Sequence, residues 1–439
     1  MVFRKGLFSG IAALFVFVSC ATNHNAYAPI DAGVETGLYE NALASINDEN
    51  GAARKSIYTT KNEILLYLDR GMVNHYAGLY RESSEDFQIA EGLIEEAFTK
   101  SIGQSVGSYI LNDNVKDYSG EDYEDLYINI FGALNYYHNG SIESALVEIR
   151  RLNEKLMVLA DKYEQAKDKV LESSNQVDPD ELPIEASNFS NSALARYLGM
   201  LFFRSTGKND DARIDYEELR RAFDLAPEVY TNQIPSSVAG ELSVPADKAR
   251  LNIITFTGLS PVKQQETIVI PLPLPFPNNT ARLSLPVMVD RPSMVQNVEV
   301  VLDSGERFGL ELMENMGAVA RETFKSRRGL IVLKTTARSI TKAVVSAAAA
   351  GTASSKQGSG MGLLIGAIGK IASDASEQAD TRLSRYFPNH ALVGGINLDP
   401  GNYTVTVNFY GSGQLLHSDK MNIDVRRNTL NLGEFFYLK

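Results

Sequence analysis

Gly78-Leu79-Tyr80-Arg81-Glu82-Ser83 decides how this chain is read, because three other segments repeat its layout. They are Gly37-Leu38-Tyr39-Glu40-Asn41-Ala42, Gly140-Ser141-Ile142-Glu143-Ser144-Ala145 and Gly207-Lys208-Asn209-Asp210-Asp211-Ala212. In each, a glycine is followed by a bulky or polar residue two positions on and a small residue five positions on. A glycine supplies the turn between two antiparallel helices without steric cost, and the small residue lets those helices approach closely. The flanking residues keep helical periodicity as far as Pro235, so residues 35–235 are expected to fold as an all-α array of helical hairpins.

The pattern resembles the tetratricopeptide repeat. Its second copy carries Tyr67, Gly71, Gly78, Tyr80, Phe87 and Ala90 at the expected offsets, with Asn74 and Ser83 departing from them. Ala133, Tyr136, Gly140 and Ala145 match in the third copy, and Phe203, Gly207, Ala212 and Tyr216 in the fourth. A strict array would repeat about every 34 residues. The glycines recur at unequal, longer intervals, so insertions separate the pairs, and an irregular helical bundle is the alternative.

Upstream, Arg4 and Lys5 precede an apolar run from Gly6 to Val18 and then Ser19-Cys20-Ala21. That run is too short to span a bilayer and reads as a signal peptide, residues 1–19. Cys20, the single cysteine, follows a small residue, as acylation by the lipoprotein route requires. Phe17-Val18-Ser19-Cys20 resembles the bacterial lipobox, with Phe17 where leucine is usual. Ordinary cleavage after Ala26-Tyr27-Ala28 is the rival, and Pro29 after the scissile bond disfavours it. Residues 20–34 are small and polar and read as a flexible tether. A formal net charge of −12, more negative once Arg4 and Lys5 are removed, speaks against nucleic acid as a partner.

The densest polar stretch runs from Asn112 through Asp113, Tyr118 and Glu121 to Glu124 and Asp125. Counting from Asp113 puts Val115 third and Tyr118 sixth, which fails the calcium-loop pattern. No metal site is expected, and a solvated loop leading into an acidic helix N-terminus accounts for the composition. Several segments together resemble a poorly characterised family of bacterial envelope lipoproteins with tetratricopeptide-like N-terminal halves. They are Tyr67-Leu68-Asp69-Arg70-Gly71-Met72, Asn112-Asp113, Tyr118 to Glu124, Ala133 to Tyr136, Ala145 to Asn153 and Ala379-Asp380-Thr381-Arg382. The resemblance implies an envelope location, in the neighbourhood of peptidoglycan-synthesis regulators. It also implies a candidate binding surface at Asn112, Asp113, Tyr118, Glu121, Glu124 and Arg150.

After Pro235 the pattern changes to strands. Tyr403, Val405, Val407 and Phe409 alternate with Thr404, Thr406 and Asn408, and Asp303-Ser304-Gly305-Glu306 separates two strands as a hairpin turn. Residues 236–439 are expected to form a β-rich, sandwich-like region, the chain as a whole being α+β and multidomain. An Ala/Gly-rich helical insertion is expected at about 313–385, with a strand at Leu330-Ile331-Val332-Leu333. Pro271, Pro273, Pro275 and Pro277 mark an extended segment, and Gly362 and Gly366 form a GxxxG within the apolar run to Ala372.

The five histidines lack HxxxH or HExxH spacing, and no GxSxG or phosphate-cradling glycine loop is present. No catalytic residue and no cofactor are nominated. The expected function is a protein-protein interaction scaffold in cell-envelope assembly or its regulation, anchored through lipid on Cys20. Ala21 is not the aspartate associated with inner-membrane retention, which favours the outer membrane facing the periplasm. A carboxylate-dependent hydrolase of envelope glycan and an oligomeric envelope-complex subunit are the alternatives.

Overall fold

All four turn glycines lie between paired helices with positive φ: +74° at Gly37, +75° at Gly78, +79° at Gly140 and +74° at Gly207. The computed structural model describes residues 21–103, 116–173, 185, 187–271, 280–349 and 379–439. Within them the glycines join α1 (Ala21–Glu35) to α2 (Tyr39–Asn47), α4 (Glu63–Tyr76) to α5 (Tyr80–Gly103), α6 (Asp122–His138) to α7 (Ile142–Ser173), and α8 (Ala193–Ser205) to α9 (Asn209–Leu225). The short α3 (Ala52–Ser56) follows the first pair. At each turn the glycine N–H donates three residues back and the next N–H five back, as in Gly78 N to His75 O at 3.0 Å and Leu79 N to Asn74 O at 2.9 Å. This is a Schellman closure, which satisfies carbonyls the helix would otherwise leave unpaired. Ala42, Ser83, Ala145 and Ala212 are fully buried between the paired helices. Successive hairpins stack through α2 on α4, α5 on α6 and α7 on α8.

The strands form one seven-stranded sheet and a separate ribbon. The sheet comprises β1 (Ala249–Leu259), β4 (Asn297–Leu302), β5 (Arg307–Asn315), β6 (Pro388–Leu398), β7 (Gly401–Gly411), β8 (Gln414–Val425) and β9 (Asn431–Tyr437), in the order β8-β7-β4-β5-β6-β1-β9. Only the β1–β9 pairing is parallel. Its two outer strands approach each other, with His417 stacked on Tyr437 at 5.4 Å between ring centres, so the sheet curls nearly into a barrel. Leu251, Ile253, Val405, Val407 and Phe409 fill its inside. The ribbon pairs β2 (Val262–Pro271) with β3 (Thr280–Val289) and lies against α10 (Met316–Ala349).

Helices and strands separate in the chain near Pro235 but not in space. Every residue of β1 is buried. Leu251 and Ile253 face the barrel interior, while Ile254 and Phe256, on the opposite face by strand alternation, join one apolar core with the helices. That core takes in Ile30, Leu68, Phe131 and Leu198 from the array and Met313, Phe387, Val393 and Leu432 from the strand half.

Four expectations need correction. Residues 21–35 are a helix, not a tether: Ala26, Ile30 and Val34 recur one turn apart and are buried, while Pro29 lies on the exposed side. The sandwich is instead a single curled sheet, because β8 and β9 meet rather than forming edges of two facing layers. Leu330 to Leu333 lie inside α10, where long-range packing of Val332 and Leu333 overrides the strand preference of a β-branched run. The insertion narrows too, since Met313 to Asn315 belong to β5 and residues 379–387 are not helical. Cys20, Pro273, Pro275, Pro277 and the run from Gly362 to Ala372 lie outside the described residues.

Candidate binding surface

Glu121 caps α6 in a capping box, with the Glu124 carboxylate accepting the Glu121 N–H at 2.7 Å. The same carboxylate accepts from the Tyr118 hydroxyl at 2.7 Å and from the Ser384 N–H at 2.6 Å. Burial and the neighbouring Glu121 charge raise the Glu124 carboxyl to about 7, against the lowering effect of those three donors. Asp69, one hairpin earlier, accepts from Tyr58 at 2.9 Å, the Ser384 hydroxyl at 2.7 Å and the Arg385 N–H at 3.0 Å. Burial raises it to about 6, with the same kind of donors opposing. Two buried carboxyls on α4 and α6 thus clamp the strap of chain that leads into β6. Glu121 itself pairs with Lys263 of β2 and with Arg327 of α10 at 3.3 Å.

The described part of the acidic stretch is therefore not a solvated loop, although Tyr118, Glu121, Asp122 and Asp125 also border a cavity of about 670 Å³. Tyr118, Glu121 and Glu124 are buried and bonded to the chain's own C-terminal half. Arg150 is exposed on α7, beside a separate small recess with Arg196 and Asp215. Asn112 and Asp113 lie outside the described residues. Asn74 and Ser83, the departures from the repeat pattern, hold α4 to α5. Asn74 donates to Asp86 at 2.9 Å, Arg70 grips the same carboxylate in a two-pronged pair, and the Ser83 hydroxyl donates to Gly71 O at 2.7 Å.

The first helix of every hairpin turns a face to the strand half. Asp31 on α1 pairs with Arg385 at 2.9 Å, and Tyr76 on α4 donates to Tyr386 O at 2.6 Å. Tyr127 on α6 donates to Glu314 at 2.7 Å, and Arg204 on α8 donates to Asn252 at 3.0 Å. Glu434 of β9 takes His75 at 3.1 Å and His138 at 2.6 Å. Burial alone would raise its carboxyl, but the His75 charge and hydrogen bonds from both imidazoles hold it at about 2. Glu314 collects Tyr127, Tyr230, Ser192 and the Leu194 N–H, and burial still pushes it up. Among the described residues no group of three or more His, Cys, Asp or Glu side chains is placed to hold a metal ion.

A cleft of about 880 Å³ remains open between the second helices of the middle two hairpins. Gln88, Glu91, Glu95 and Phe98 of α5 form one wall. Val147, Arg151, Glu154 and Val158 of α7 form the other, and Leu126 of α6 lies at its base. Glu91 crosses it to Lys155 at 2.7 Å and Arg151 at 3.3 Å. Lys155 also meets Asp125 at 2.7 Å, Lys162 meets Asp122 at 2.8 Å, and Lys162 lies 4.6 Å from the centre of the Phe98 ring. These residues were not nominated from the sequence. The available signal was Val147, Arg151, Glu154 and Val158, one face of α7 that keeps apolar residues exposed.

No protein-family model matches the chain, and no curated protein or solved structure is similar to it at a significant level.

Proposed function

We propose that this protein is a cell-envelope lipoprotein, anchored through Cys20 in the outer membrane and facing the periplasm. In this reading it is an interaction scaffold built on tetratricopeptide-like hairpins. The observation that carries the reading is the α5–α7 cleft: the first helices of the hairpins turn to the chain's own C-terminal half, whereas this cleft keeps Val147 and Val158 in water. Apolar side chains left exposed in a cleft rimmed by charge are typical of docking sites. The signal-peptide layout of residues 1–20 and the lipobox-like Ser19-Cys20 support the anchor.

Two measurements on native membranes test this function. Mass spectrometry of the mature N-terminus is expected to find acylated Cys20, and an unmodified chain beginning at Pro29 would remove the anchor. Affinity capture after crosslinking is expected to recover one envelope protein with the wild type and to lose it with Val158→Asp. Capture that is indifferent to this variant would remove the cleft from the function.

A further inference from the structure

We infer that the α5–α7 cleft receives a basic amphipathic helix of a partner protein; the inference rests on the scaffold reading and names what that scaffold binds. The shape comes first. Two helices wall the cleft with a third beneath, and its lining on α7 runs from Ser144 to Lys162. At 1.5 Å per residue that is about 27 Å, the length of five helical turns. A helix laid in such a trough presents one apolar face downward and two flanks to the rims.

The apolar face has its counterpart in Phe98, Val158 and Leu159, with the buried Ile94 and Leu126 beneath them. Val147 and Val158 are 41% and 60% exposed, so water covers surface that a partner would bury. The charges decide the flanks. Arg151, Lys155 and Lys162 are each already paired with an acid of the cleft. Glu95 on α5 and Glu154 on α7 are exposed and carry no ion pair among the described residues, one on each wall. An occupant with lysine or arginine on both flanks of an apolar strip answers this arrangement, and an acidic one is repelled from both sides.

Other occupants fit less well. An anionic lipid surface would meet Glu95 and Glu154 first. A second copy would present the same acidic α7 face. Residues 104–115 and 174–184, which adjoin α5 and α7 in the chain, contain Asp113, Asp178, Asp180 and Glu181 and no lysine or arginine.

The test uses the full mature chain and three 18-residue fluorescent peptides: a leucine/lysine amphipathic helix, its leucine/glutamate counterpart, and a scrambled leucine/lysine sequence. Fluorescence anisotropy is expected to show binding of the first alone, weakened in 0.5 M salt. Val158→Asp, and Glu95→Lys with Glu154→Lys, should each weaken it about tenfold or more. The double charge reversal should in turn gain affinity for the leucine/glutamate peptide. Equal binding of all three peptides, or binding that ignores the cleft variants, overturns the inference. So does a dimer of the free protein that Val158→Asp dissociates, which would give the cleft to a second copy. An intramolecular crosslink from position 158 to residues 350–378 would give it to the chain itself. If captured envelope partners depend on Val158 while the basic peptide fails, the scaffold survives and only the partner class falls.

Discussion

Glu124 is an acid whose buried form favours the proton. An ordinary glutamate ionises near 4.5 and Glu124 near 7, so between those values the folded state holds a proton that the unfolded state has released. Stability from this group is complete below about 4.5 and is lost as pH rises through 7, on the order of 3 kcal/mol. Asp69, shifted from 3.8 to about 6, acts in the same direction over a lower window. Glu434, held at about 2, acts in the opposite sense, and its contribution disappears as pH falls from 4.5 toward 2. Urea unfolding is therefore expected to give greater stability at pH 5 than at pH 8. Glu124→Gln should flatten that slope and lower stability at pH 5, because its amide would oppose one of the three donors. A slope unchanged by the substitution would show that Glu124 is not the group responsible. Such residues were visible in the sequence as a dense polar stretch, but their role was not. A buried polar network and a solvated loop share one composition, and the partners Lys263, Arg327 and Ser384 lie far along the chain.

Helical hairpins were legible because their turns need a conformation that glycine alone adopts easily. At Gly78 an added Cβ would meet nothing within 4 Å, so only the backbone angle opposes substitution. Gly71, on the preceding helix, is the reverse: its Cβ would lie 2.6 Å from the Phe87 ring. Calorimetry should find both Gly78→Ala and Gly71→Ala destabilising by about 1–3 kcal/mol, for different reasons. Asparagine separates them, since it tolerates positive φ but is larger than alanine: Gly78→Asn should be milder than Gly78→Ala, and Gly71→Asn more severe than Gly71→Ala. Equal ranking at the two positions would contradict this division. The elements that were misread had no such local signal. Residues 21–35 hide the buried Ala26, Tyr27, Ile30, Gly33 and Val34 among small and polar residues, and Leu330 to Leu333 are strand-forming in isolation yet lie on a helix whose packing is set by distant segments.

The whole molecule unites what the sequence divides at Pro235. The alternation of the C-terminal strands identified the inward face of β7, where Val405, Val407 and Phe409 are fully buried. It could not show that β1 has two buried faces, one for the barrel and one for the helices. Because one core serves both halves, denaturant unfolding is expected to be a single transition by far-ultraviolet and aromatic signals alike. Residues 35–235 alone would expose the faces of α4, α6 and α8 and are not expected to reach a cooperative folded state; a cooperative transition in that fragment would contradict the shared core. The same arrangement restricts where a partner can dock, since the C-terminal half already meets a face of each first helix of the array. Site-specific photocrosslinking in intact cells tests this claim most directly, with the crosslinker at Val158 in the cleft and, as control, at Ile214 on the exposed side of α9. The expected result is one discrete adduct with another protein from position 158 and none from position 214. Equal adducts from both positions, or none from either, would contradict a scaffold that binds through the α5–α7 cleft.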